Sequence, residues 1–201
     1  MKHKHHSILN HYQNLLIQCY LRTQFQVLLI EQNKVEEAKA KLEKAIALEP
    51  DNTLLYVRLG TLYDQLMKKE AESADPDKAK LEEYQKKGLA AYKKTLELDP
   101  DNFIANFNYS SIINEKANFF FKQANEMSPS EYAKKGQALI DQGLEILVDA
   151  VPPMEKAYEL EPEDEGVIFA LRGFYYKLED EAKLKEIDAR IKELGLLDEG
   201  N

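Results

Sequence analysis

The chain has 201 residues, of which 44% are hydrophobic and 31% charged, with a formal net charge of −9. That length holds one medium domain or a short array of repeats, and eight glycines and seven prolines are too few for a disordered chain or a strand-and-turn architecture. The charge is uneven: residues 1–34 carry four Lys/Arg against one Glu, and the remainder carries 23 against 35. An acidic body without a basic, aromatic-interleaved stripe argues against a nucleic-acid partner. No run reaches the ~18 apolar residues of a membrane span.

Residues 1–9 read as a His/Lys-rich tail. Imidazoles are good zinc or nickel ligands, yet the "HKHH" cluster stands where chains fray and resembles a purification tag more than a metal site. "LLIQCYLRTQFQVLLI" follows, interrupted by Gln18, Arg22, Thr23, Gln24 and Gln26, with no small-residue cleavage site after it. It is expected to form an amphipathic helix over roughly 10–31 rather than a signal segment, leaving a cytoplasmic default as the only address. Cys19 has no second cysteine to pair with. Ala38, Leu42 and Ala45 then mark a second helix, closed by Pro50.

"TLLYVRLGTLYDQLMKK" places Leu55, Leu59, Leu62 and Leu66 on one helical face. Gly60 interrupts that helix at a cost of up to ~1 kcal/mol, which implies the close approach of a neighbour. Asp75 is the expected N-cap, with Pro76 in the first turn, of a helix running to about Leu98. Its face is Leu81, Tyr84, Gly88, Ala91, Tyr92, Thr95 and Leu98, and Pro100 ends it. Asn106, Tyr109, Ser110 and Ile113 define the next helix. "SPSE" at 128–131 is a capping box that predicts an extended helix from 129 to about 149, which Pro152-Pro153 must kink or restart. The triple "FFF" at 119–121 points in three directions on a helix, so at least one ring faces away from the repeat's own core; packing on this extended helix is expected, with an exposed apolar patch as the alternative. Ala150, Met154 and Ala157, then Ile168, Leu171 and Tyr175, then Leu184, Ile187, Ile191 and Leu194 give three further faces, with Gly195 as the stop.

Three phrases recur at the helix ends: "AIALEPDN" at 45–52, "TLELDPDN" at 95–102 and "AYELEPED" at 157–164. The unit is helix, turn, helix, proline. It resembles the tetratricopeptide repeat, with Tyr56, Leu59, Gly60 and Tyr63 in the first-helix positions, Gly88, Tyr92 and Thr95 in the second, and Pro100 at the close. The repeat is lengthened, at about 50 residues against ~34 in the family. The resemblance implies an all-α tetratricopeptide-like α-solenoid, a right-handed superhelix of antiparallel helix pairs with about four repeats. These are expected at 10–50, 51–100, 101–162 with an inserted helix, and 163–195, before a tail at 196–201.

Catalytic groups are sparse. His3, His5, His6 and His11 all precede residue 12, Cys19 has no histidine beyond that tail, and the glycines are isolated rather than gathered in a phosphate loop. No enzyme activity and no cofactor are expected. In the resembled family the first helices line a concave groove for a protein or peptide. By position, that implies Tyr20, Thr23, Val27 and Ile30, then Leu54, Val57, Thr61 and Asp64, then Ile104, Phe107, Ser111 and Asn114, then Phe169, Gly173 and Tyr176. Asn108 is a further candidate for a ligand's backbone. The set suggests an apolar groove with few charges, suited to a helix or extended apolar segment. The carboxylate clamp of chaperone-tail binders is absent: the positions that would form it hold Val57, Thr61, Asn108, Gly166 and Ala170. The apolar first helix also leaves monomer and homodimer as alternatives.

Overall fold

The computed structural model describes residues 35–196. The expected helix over roughly 10–31 lies outside them, and with it Cys19, Tyr20, Thr23, Val27 and Ile30. Among the described residues there are helices and no strands. They are α1 (Val35–Leu48), α2 (Thr53–Ala71), α3 (Lys78–Leu98) and α4 (Phe103–Asn125). Then α5 opens at Pro129–Glu131, passes through a π-helical turn at Tyr132–Gly136 and continues as Gln137–Val148. The last three are α6 (Val151–Leu160), α7 (Glu165–Lys177) and α8 (Glu181–Glu193).

Each helix packs mainly on its neighbours in sequence, and α4, beside its neighbours α3 and α5, also packs on α6. The core is accordingly a string of clusters. Leu42 with Leu62, Tyr63 and Leu66 joins α1 to α2. Tyr92 with Ala105 and Ile112 joins α3 to α4. Leu147, Met154, Ile168, Phe174 and Ile191 fill the remainder. Stability in such a stack is a sum of nearest-neighbour contacts.

The proline phrases work as hinges. Asn102 caps α4 by accepting from the Ala105 amide at 3.1 Å, and Asp164 caps α7 from Val167 at 2.9 Å. The proline's own carbonyl, left over at the turn, is taken by the side chain six residues on. Tyr56 donates to the Pro50 carbonyl at 3.0 Å, and Asn106 donates to that of Pro100 at 2.8 Å. At the third hinge the equivalent residue is Ile168, which is fully buried instead.

Two expectations are corrected or refined. The N-cap of α3 is Asp77, not Asp75: its carboxylate accepts from the amides of Ala79 and Lys80, and its own amide donates to Glu70 at 2.9 Å. That tie to α2, which Lys80 reinforces by pairing with Glu70, holds Pro76 outside the helix. The "FFF" triple divides. Phe121 seats against Gly143 of α5, where a Cβ would stand 2.4 Å from the ring, whereas Phe119 is 59% exposed. The predicted break falls at Asp149-Ala150, because Pro153 has no amide for the carbonyl four residues back. Ser110 covers the join by donating to the Ala150 carbonyl at 2.6 Å. At the far end Gly195, at φ 66°, lets the Leu196 amide reach back to Ile191.

Gly60 and Gly173 separate two kinds of helical glycine. A Cβ at Gly60 would lie 2.6 Å from the ring of fully buried Tyr92, while one at Gly173 would meet nothing within 4 Å. Gly60→Ala should therefore lower stability by about 1–3 kcal/mol through overpacking. Gly173→Ala should raise it by up to ~1 kcal/mol from helix propensity. Urea unfolding midpoints of the two variants are expected to move in opposite directions.

Candidate concave groove

Successive turns of α2 and α4 face one another across an open groove of about 530 Å³. Helical spacing brings Asp64, Met67, Lys68, Ala71 and Glu72 to it from α2, and Phe107, Asn108, Ser111, Ile112 and Glu115 from α4. Of the anticipated residues it thus unites Asp64, Phe107, Asn108 and Ser111. Val57 is a correction: at 6% exposure it belongs to the core, turned in from the stripe by its place on the helix. Thr61 is half-buried, its hydroxyl donating to the Val57 carbonyl at 3.0 Å. Leu54, Ile104, Phe169 and Tyr176 are exposed but do not line this cavity. Tyr20 and Val27 lie outside the described residues.

Below the groove is a residue that the sequence marked only as core. Tyr92 of α3 lies fully buried, its ring in the space left by Gly60. Its hydroxyl donates to the Asp64 carboxylate and accepts from Asn108 Nδ2 at 2.9 Å. Three helices meet at that one oxygen. Asn108 is therefore committed to the protein, with its amide turned inward. Ser111 spends its hydroxyl on the Phe107 carbonyl at 2.9 Å, and the Phe107 ring stacks on Phe103 with centroids 6.1 Å apart.

This cavity carries four charged side chains, Asp64, Lys68, Glu72 and Glu115, beside its apolar wall. Lys68 is balanced by Glu72 at 4.0 Å. Burial pushes the Asp64 carboxyl from 3.8 up to about 6; the Tyr92 hydrogen bond opposes that shift and the Glu115 charge adds to it. Glu115 is itself raised by desolvation against the apolar wall. Tyr92, buried beside a carboxylate, is held well above the usual phenol range. Glu115 was legible as the next turn after Ser111; nothing local in the sequence shows that the Tyr92 hydroxyl reaches the groove.

The packing defines the class: an all-α, tetratricopeptide-like α-solenoid of stacked helix pairs. No family model and no curated protein matches the chain. Among solved structures it is similar to MamA from residue 41 to its end, from Desulfovibrio magneticus RS-1. The identity is 16% over 90% of this chain and 97% of that one, with a TM-score of 0.36. The MamA RS-1 ArsTM double mutant gives 15% identity over 91% and 97%, also at a TM-score of 0.36. No helix among the described residues is long and apolar enough to cross a membrane.

Because the folded-state value of Asp64 is raised, the native protein binds the proton more tightly than the unfolded chain does. Its contribution favours folding at low pH and is lost as pH rises from about 4 to above 6. At ~1.4 kcal/mol per pKa unit, that loss is roughly 1–3 kcal/mol. Asp64→Asn keeps an acceptor for Tyr92 and removes the charge. Thermal unfolding at pH 4 and pH 7 should show the wild type losing stability relative to the variant by that amount.

Proposed function

We propose that this chain is a non-enzymatic scaffold that holds a segment of a protein partner in the concave groove between α2 and α4. The units contributing to it would be 51–100 and 101–162, with 163–195 closing the stack. One observation carries the reading: an open groove of about 530 Å³ whose walls belong to successive first helices and whose floor is already fixed by the contacts of Tyr92. A preformed site spares the partner the cost of ordering it. Walls supplied by two helices suit a helix or an extended strand of peptide.

Affinity capture from the native cell extract tests this, with Phe107→Arg and Ser111→Arg compared beside the wild type. Phe107 packs partly into the core near Gly166, so circular dichroism must show each variant folded. Ser111, bonded only to its own helix, supplies the milder change. A partner held by the wild type and at least about tenfold depleted on both folded variants is the expected result. Equal capture by all three would sink the groove as the binding surface.

A further inference from the structure

Several carboxylates among the described residues pair with a cation along or across the helices. Glu37 pairs with Lys41, Glu83 with Lys87, Asp188 with Arg172, and Glu155 with Lys183. Lys68 and Glu72 answer each other at the edge of the groove, but Asp64 and Glu115 form no ion pair among the described residues, although the charge of one is felt by the other. Asp64 cannot swing away to solvent, because the Tyr92 hydroxyl holds it. Around the two acids the walls are apolar, formed by Met67, Ala71, Phe107 and Ile112.

Two acids on facing helices beside an apolar wall, one of them held by the Tyr92 hydroxyl, are complementary to one kind of side chain: a cation on an apolar stem. Lysine and arginine lay their methylenes along apolar surface and present charge at the tip. Methionine, at the wall, adapts to stems of different shape. A free metal ion fits less well, since no three His, Cys, Asp or Glu among the described residues converge as ligands. Resting on the groove reading above, we infer that the partner segment carries a lysine or arginine flanked by apolar residues, with the cation seated between Asp64 and Glu115. Nucleic acid and acidic tails are repelled by the same pair.

Selection on the full chain with a phage-displayed library of random peptides, about twelve residues long, tests this without a known partner. The enriched sequences should place one basic residue among apolar ones. A synthetic selected peptide should bind Asp64→Asn/Glu115→Gln at least about tenfold more weakly. Replacing its basic residue by norleucine should cost the same, with no further loss when both changes are combined. Glu115→Gln alone, at an exposed position, keeps the test valid if Asp64→Asn perturbs folding. Enriched peptides that lack a basic residue yet are lost on Phe107→Arg would overturn the cation and leave the groove reading standing. Peptides indifferent to Phe107→Arg and Ser111→Arg, or no enrichment at all, would overturn both.

Discussion

The burial of one tyrosine organises the concave side of this stack. Tyr92 shows no exposed surface, and a phenol can be hidden only if its ring has room and its hydroxyl has partners. Room comes from Gly60, whose missing Cβ lets α3 close on α2. Partners come from both sides: Asp64 on α2 accepts, and Asn108 on α4 donates. Each role is chemically forced, since an ionised carboxylate can only accept and the hydroxyl has one proton to give. Removing the Tyr92 hydroxyl takes the partner from both Asp64 and Asn108, at a cost of about 1–3 kcal/mol per buried group left unsatisfied.

The same economy of local partners explains how the helix pairs follow one another. At each hinge a proline stops one helix and an Asn or Asp opens the next, and at the first two the proline carbonyl is claimed by the residue six positions on. Tyr56 and Asn106 do this with different chemistry, which shows that the requirement is a donor of sufficient reach. Where Ile168 stands instead, the turn is held by the Asp164 cap and by apolar burial. The lengthened third unit applies the rule inside a helix. Past the break at Asp149-Ala150 the Ala150 carbonyl has only a long 3.4 Å bond from the Met154 amide, and Ser110 on the facing helix donates a second at 2.6 Å. Deviations from the regular repeat are thus paired with a specific donor.

The helices and their order could be read from the chain because their signals are local: a 3.6-residue apolar period, prolines after acidic residues, a Ser-Pro-Ser-Glu start. The start of α3 was misread by two residues because Asp75 and Asp77 flank the same proline, and only the cross-helix bond to Glu70 distinguishes them. Position on a face was legible where depth was not. Val57 and Phe107 fall on one predicted stripe, yet the first is core and the second is at the groove wall. Tyr92 was correctly placed on the inner face of its helix. That its hydroxyl would emerge beneath Asp64 depends on the distance between α2 and α3, which is set by a glycine thirty-two positions earlier and carries no periodic signature.

The acidity of the groove follows from the same geometry. Burial raises the proton affinity of Asp64 and the Glu115 charge adds to it, while the Tyr92 hydrogen bond opposes the shift; desolvation raises that of Glu115. Both shifts cost stability once the carboxyls ionise. Such a cost, set where two first helices face each other, is characteristic of sites at which local stability yields to recognition. On the reading proposed above, a cation entering the groove would relieve that charge and so gain binding free energy from it. Protons would compete for the same relief, so that occupancy and the protonation of Asp64 would each weaken the other as pH falls through about 6.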